Sequence, residues 1–550
     1  MMGRLRLVSV FALALGCGAE TPGAEQSPLQ AFPSAAAPDA PAAPESAIPE
    51  PDAVTTLEGN GNDGSEQLPS AMLSPGISNT PDTTAPGMGG PDSPDAGVAP
   101  ANPEVPIPPV VTPPPVVNPP AVNLPPGVVG RFPNSGATGI CRDVPLRISF
   151  AGNVTLGNTG RIRIFASNQP NTAVGTVDMA ATTFTDTIAG RATNLVRPVF
   201  LDGRDAVVYF RRNLLQPNTS YFVQVEQGVF RDAGGAATAV NGDTSWSFRT
   251  GGDPAPSNNI VVQREGAGNF CTLQSALDAV PAGNTNRVTI DIRRGTYHEI
   301  GYLTGKPNVT LRGEDRAASI ISYPNNDNLN PGTAARSMLT VLSSNGFVLQ
   351  NLTLHNTTPQ GGSQAEALRV RSEQVTLRNS NFLSLQDTVL LEGHVYVGDS
   401  YIEGNVDFVW GQGATYFENS EIKLVGRSGV IVQARNGAGA RGYVFVDSRL
   451  TADPGITNSA LARVDATVYP NSEVAFINCQ IGPHISAAGW TVTPAGAPLG
   501  NLRFFEFQST DLNGQPLNVA GRLAGLPRIS AAEAAQLRDR QAVLGFQPAQ

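Results

Sequence analysis

Val375-Thr376-Leu377-Arg378-Asn379-Ser380, Val395-Tyr396-Val397-Gly398-Asp399-Ser400 and Thr415-Tyr416-Phe417-Glu418-Asn419-Ser420 follow one another at intervals of 20 residues. Each is a short run of alternating apolar residues closed by Asn or Asp, the pattern of a strand leading into a turn. Three more stretches share the pattern: Phe347-Val348-Leu349-Gln350-Asn351-Leu352, Tyr443-Val444-Phe445-Val446-Asp447-Ser448 and Val474-Ala475-Phe476-Ile477-Asn478-Cys479. The polar residue recurs at 351, 379, 399, 419, 447 and 478. A constant strand core separated by insertions of unequal length is what a solenoid produces. The pattern predicts an all-β chain built on a parallel β-helix, its rungs about 4.8 Å apart. A stacked Asn or Asp at each corner could bond the backbone of the next coil.

The same interval separates Asp387, in Gln386-Asp387-Thr388, from Asp407, in Val406-Asp407-Phe408-Val409-Trp410-Gly411. Residues one repeat apart lie on the same face of neighbouring rungs, so the sequence predicts two carboxylates side by side. Two such groups cannot both ionise freely, and one should hold its proton. A protonated acid beside an ionised nucleophile is the minimal kit for hydrolysis. Turn aspartates without chemistry would show the same spacing. Gln364 lies 22 residues before Gln386, which places two amide donors near the pair for an oxyanion. Arg435 stands 28 residues after Asp407 and Arg463 another 28 on. By rung count Arg435 is one rung from Asp407 and Arg463 is two, roughly 9–10 Å along the stack. Trp410 could stack on a ligand or fill the core.

Outside this region the chain changes texture. Arg4 and Arg6 precede a short apolar run from Leu7 to Leu15, which ends in Ala14-Leu15-Gly16-Cys17. Residues 1–17 therefore read as an export signal of lipoprotein type, with Cys17 as the acylated residue. This predicts an exported protein held by a lipid anchor at an outer membrane or cell surface, or otherwise secreted. Residues 18–127 are rich in Pro and Ala and lack the apolar content for a core, so they read as a tether. Residues 128–252 carry short alternating runs such as Leu146-Arg147-Ile148-Ser149-Phe150, separated by turns at the spacing of an Ig-like β-sandwich. This segment resembles bacterial Ig-like modules and is expected to be a spacer or adhesion module. Residues 258–550 hold the β-helix, with a capping helix expected at Leu273 to Val280. A capping box at Ser530-Ala531-Ala532-Glu533 should open a second helix running to about Val543.

With 46 acidic and 36 basic residues the formal charge is −10, which gives no basic footprint for nucleic acid. Cys141, Cys271 and Cys479 fit no zinc spacing. A Cys271–Cys479 bridge and buried free thiols are both open. The four histidines form no triad-like grouping.

Five ordered motifs now carry a resemblance. Gly295-Thr296-Tyr297-His298-Glu299, Gln364-Ala365-Glu366-Ala367-Leu368, Gln386-Asp387-Thr388, Asp407 to Gly411 and Gly489-Trp490 fall in the order found in the pectin methylesterases (pectinesterases). Residues 258–550 resemble these right-handed parallel β-helix carbohydrate esterases. The resemblance implies Asp407 as nucleophile, Asp387 as acid and base, Gln364 and Gln386 as the oxyanion site and Arg463 as the residue that orients Asp407. Trp410, Trp490 and Arg435 are expected to line the cleft for homogalacturonan. Neither metal nor cofactor is implied, and a monomer is expected. The family's Leu-Gly-Arg-Pro-Trp motif stands here as Leu461-Ala462-Arg463-Val464-Asp465. The arginine survives, but a cleft tryptophan is replaced by Asp465, whose charge would repel an anionic polymer. Two other readings therefore stay open: an ester or thioester hydrolase with another substrate, and a glycan-binding β-helix without catalysis.

Overall fold

The computed structural model describes residues 124–549 apart from 233, 236 and 241–245. The export signal, Cys17 and nearly all of the tether lie outside the described residues.

From Asn259–Val262 onward the chain winds through three parallel sheets of ten, eight and eight strands, visited in cyclic order. In-register pairing stacks like residues along the axis. Phe417, Phe445 and Phe476 are ladder partners, and their rings stack at 4.2 and 4.7 Å. Alternation then sorts the faces: Val395 and Val397 point into the helix core, while Tyr396 between them points out.

The recurring Asn or Asp has a backbone cause. Asn351, Asn379, Asp399, Asn419, Asp447 and Asn478 all have φ between 43° and 58°. These are left-handed values, which Asn and Asp tolerate better than other residues with a Cβ. Only one side-chain ladder bond joins them directly, from Asn379 Nδ2 to Asn351 Oδ1 at 2.7 Å. From Asn379 on, their own backbone N–H groups donate to carbonyls of the next rung, as Asn379 does to Gly398 at 3.0 Å, and the other side-chain links come from the next residue. The backbone N–H of Ser380 donates to Ser400 Oγ at 3.3 Å, that of Ser400 to Ser420 Oγ at 3.2 Å, and that of Ser420 to Ser448 Oγ at 3.2 Å.

Helix α1 (Leu273–Ala279) sits on the first rungs. Its N-terminus is held by the buried Glu299, which accepts from the N–H groups of Leu273 and Gln274 at 2.9 and 3.2 Å. Burial pushes the Glu299 carboxyl up to about 7. The C-terminal segment departs from expectation. The capping box at Ser530 and Glu533 is formed, but the helix breaks into α2 (Ala531–Leu537) and α3 (Arg540–Leu544) where Asp539 caps a new start. The pair covers the outer face of the largest sheet, against Tyr396, Tyr416, Val446 and Ile477, rather than the last rung.

Residues from Val128–Phe132 to Ser247–Thr250 form a sandwich of a four-stranded and a seven-stranded sheet. It is no loose spacer. A separate hairpin, Thr183–Ile188 paired with Arg191–Val196, inserts Ile188 and Leu195 into the β-helix core. Arg264 and His298 of the β-helix both pair with Asp202, at 3.1 and 2.9 Å. Asp143 accepts from the N–H groups of Cys271 and Thr272. Beside it, Cys141 is bridged to Cys271. The Cys271–Cys479 pairing is thus excluded, and Cys479 is a buried free thiol. Cys141 directly follows the sandwich strand Ala137–Ile140, beside the first coil, while Cys479 lies rungs away inside the corner ladder.

A cross-link closing a loop of 130 residues stabilises by roughly 5 kcal/mol in the chain-entropy account. Non-reducing peptide mapping is expected to recover Cys141 and Cys271 in one linked peptide, with Cys479 alkylated only after unfolding. Cys141→Ser should lower the melting temperature and leave the Cys479 result unchanged.

Candidate active site

Three successive rungs build the site. Ala365 N–H donates to the Gln386 carbonyl at 3.1 Å, and Asp387 N–H donates to the Val406 carbonyl at 3.0 Å. Gln364, Gln386-Asp387 and Asp407 therefore follow one another up one side of the helix. Asp387 and Asp407 share the left-handed conformation of the corners, with φ of 66° and 50°. Non-glycine residues held there store strain, which is concentrated at functional positions.

Asp407 also sits at a bulge. Val406 pairs with Val430 and Val409 with Val432, so three steps on one strand oppose two on the next. A bulge re-aims the side chain it carries. Phe408 turns fully inward beneath it, in space left by Gly404, whose Cβ would fall 2.2 Å from that of Phe408.

Arg463 grips Asp407. Its Nε lies 2.7 Å from Oδ1 and 2.9 Å from Oδ2, and its Nη2 also bonds Oδ2. The two-rung distance is spanned by the long guanidinium side chain and the re-aimed carboxylate. Arg435, one rung away, bonds Gln433 Oε1 instead and lies over the Trp410 ring, 4.7 Å from its centre. A forked guanidinium on a carboxylate favours its ionised form.

Asp387 has a different environment. It is 8% exposed and accepts from Arg336 Nη2 at 2.9 Å. Arg336 is shared: its Nε bonds the fully buried Glu366 at 2.9 and 3.2 Å, and its Nη1 bonds Asp327 at 3.2 Å. Burial and then the Glu366 charge push the Asp387 carboxyl well above the usual range, against the pull of Arg336 and with a further push from Asp407. Burial also raises Glu366, but Arg336 bonds both of its oxygens. Of the two carboxyls that share Arg336, Asp387 has the weaker hold on it, one bond against two, and is the one pushed furthest toward its protonated form.

Gln364 and Gln386 are partly exposed. Gln364 Oε1 accepts from Ser363 Oγ at 2.7 Å. Among the described residues, neither amide nitrogen donates to a protein acceptor, so both can donate to a bound oxygen. Trp410 is only 5% exposed, covered by Arg435 and with Arg336 5.6 Å from its ring centre. It is a floor beneath the arginines rather than an open platform. Trp490 is not in the cleft. It pairs with Ala462 and packs on Phe504 and Phe476 in the core, at 5.1 and 6.0 Å. A Gly-Trp motif cannot distinguish an inward from an outward ring. Asp465 is exposed and tied into a turn, accepting from Thr467 N–H and Oγ1 at 2.9 and 2.6 Å.

Arg336, Glu366, Asp327 and Tyr469 escape sequence reasoning. Glu366 occupies the variable position of a motif, and Arg336 lies 51 residues from Asp387 in an irregular loop. Tyr469 stands beside Arg435, its ring centre 5.7 Å from the guanidinium, and its N–H donates to the Asp465 carbonyl at 2.8 Å.

A parallel β-helix with two stacked carboxyls and two amide donors one rung apart fits the chemistry of a carboxylic ester hydrolase. The comparisons agree. A family model described as pectinesterase matches residues 259–536, and one described as a bacterial Ig-like domain matches residues 122–250. The chain is 30% identical to pectinesterase 31 of Arabidopsis thaliana over 211 residues, 36% of this chain and 67% of that protein. It is 30% identical to pectinesterase 2 of Olea europaea over 297 residues, 50% of this chain and 76% of that protein. Among solved structures, carrot pectin methylesterase is similar with a TM-score of 0.48 and 23% identity, covering 52% of this chain and 92% of that one. The chain belongs to the pectinesterase family.

Arg463→Gln removes the positive charge from Asp407, so its carboxyl should protonate at higher pH. With Asp407 read as the nucleophile, activity requires that group ionised. The acidic limb of kcat/KM should therefore move up by about one pH unit, with activity partly recovered at alkaline pH. A kcat/KM profile with an unmoved acidic limb would contradict the pairing.

Proposed function

We propose that this protein hydrolyses methyl esters of galacturonate units in pectin, releasing methanol and leaving pectate. The stacked Asp387 and Asp407, with Arg463 on the latter, are the observation that carries this reading. A carboxylate oxygen of Asp407 attacks the ester carbonyl carbon, and the carbonyl π pair moves to oxygen. The amides of Gln364 and Gln386 donate to that oxyanion. Asp387 gives its proton to the methoxy oxygen as the C–O bond breaks, and methanol leaves. Asp387, now ionised, takes a proton from water, whose oxygen attacks the Asp407 anhydride. This frees the galacturonate carboxyl and restores both aspartates. Arg463 holds the free Asp407 ionised and aimed for attack and receives the carboxylate again when the anhydride is cleaved, while Arg435 and Tyr469 offer a cationic and aromatic wall to the polymer.

The Cys141–Cys271 bridge supports an oxidising compartment. It agrees with reading the N-terminus as an export signal and Cys17 as a lipid attachment site. A second substrate reading, an ester or thioester of a less acidic molecule, is favoured by the exposed Asp465 in place of an aromatic residue.

Methanol release from highly methylated pectin tests the proposal. Wild type is expected to release methanol, and Asp407→Ala to release none above background. Hydrolysis of small acyl esters without methanol from pectin would select the second substrate reading. Failure on both would select a glycan-binding role. Asp465→Asn is expected to lower KM for a partly methylated polymer about twofold to threefold at low ionic strength. That gain should disappear in high salt, where the charge is screened.

A further inference from the structure

The catalytic stack is built entirely by the β-helix, yet one side chain against Asp387 comes from a segment that the sandwich holds. Arg336 ends the irregular loop 324–336, which leaves the rung ending at Tyr323 and returns at Leu339. Two buried asparagines order this loop. Asn325 Nδ2 donates to the carbonyls of Ala335 and Ser337, at 2.9 and 2.8 Å, which fixes the backbone on both sides of Arg336. Asn330 Nδ2 donates to Asn325 Oδ1 at 2.8 Å.

Asn330 is in turn fastened from outside the β-helix. It exchanges two bonds of 2.8 Å with the backbone N–H and carbonyl of Asn194, in the sandwich hairpin. Asn194 Nδ2 donates to the Leu329 carbonyl at 3.1 Å, and Val196 N–H donates to Tyr323 Oη at 2.9 Å. The pairing of Asn330 with one residue's N–H and C=O imitates a strand partner, so the hairpin gains the loop as an extra edge. The loop also reaches the oxyanion side, since Asp327 N–H donates to the Gln364 carbonyl at 3.0 Å.

We propose that the Ig-like sandwich is a working part of the active site: through Asn194 it sets the 324–336 loop so that Arg336, braced by Glu366, positions the Asp387 carboxyl for proton delivery. The inference rests on the acid–base reading of Asp387. Arg336 does not touch the reacting atoms and is a positioning residue. The balance around Asp387 is charge against charge. Arg336 and Arg435 favour its ionised form, and Glu366 and Asp407 favour the protonated one. Asp327 and Glu366 share Arg336, Arg463 holds Asp407, and Arg369 also faces Glu366. Removing one member of the Arg336–Glu366 pair should thus move the proton affinity of Asp387 in one direction, and removing the other in the opposite direction.

The test is the kcat/KM profile for methanol release by the full chain. Activity falls as pH rises through the point where Asp387 loses its proton. Arg336→Gln should move this basic limb up by about one pH unit and Glu366→Gln should move it down by about one. A merely structural role would not give opposite shifts. Asn330→Ala should move the limb in the Arg336→Gln direction by a smaller amount, with KM changed less than kcat. Tyr323→Phe serves as a milder variant if Asn330→Ala does not fold by circular dichroism. Shifts of the same sign for Arg336→Gln and Glu366→Gln, or no shift in either, overturn the role of Arg336. A basic limb unmoved by the folded hairpin-contact variants overturns the role of the sandwich. Asp387→Asn is measured alongside. Retained methanol release there would show that the acid–base reading itself had failed, separately from the limb shifts, and would overturn the inference with it.

Discussion

One backbone constraint recurs on rung after rung: a residue with a Cβ must turn the chain through left-handed φ between two parallel strands. Asn and Asp tolerate it because their short polar side chains can bond locally. The structural corners and the two aspartates of the site satisfy the same constraint at different edges of the helix. A fold that places aspartates at tight turns, one above another, has already done most of the work of assembling a carboxylate pair. What distinguishes Asp387 and Asp407 from Asp399 and Asp447 is their surroundings.

Those surroundings divide two chemically identical groups. Asp407 receives a forked arginine of its own. Asp387 shares Arg336 with a fully buried glutamate and with Asp327, so its carboxyl is pushed toward the protonated form. The two guanidiniums on these carboxyls, those of Arg336 and Arg463, face three acidic groups in the immediate stack, Glu366, Asp387 and Asp407.

The β-helix and its stack were legible because period is a property of sequence: the 20-residue interval between Asp387 and Asp407 is itself the rung. Arg463 was legible only through a motif, since rung counting favours Arg435 and has no knowledge of a bulge at Asp407. Arg336, Glu366 and Asn330 were not legible. Arg336 and Asn330 lie in an irregular loop whose path is set by side-chain amides, Glu366 sits at a variable motif position, and no periodicity reports on either. The same holds for Cys141, whose partner is chosen by how the sandwich docks, and for Trp490, whose inward direction depends on strand register. The break between α2 and α3 was hidden by a continuous helical pattern that Asp539 interrupts with its own cap.

The Cys141–Cys271 bridge has a mechanical meaning. Most strands of the sandwich lie between those two residues in the chain. Tension entering from the N-terminal side passes at Cys141 straight through the covalent link to Cys271 and on into the β-helix. The intervening sandwich is shunted out of the load path. The Asn194 hairpin lies within that shunted stretch, so such a load does not peel it from the 324–336 loop.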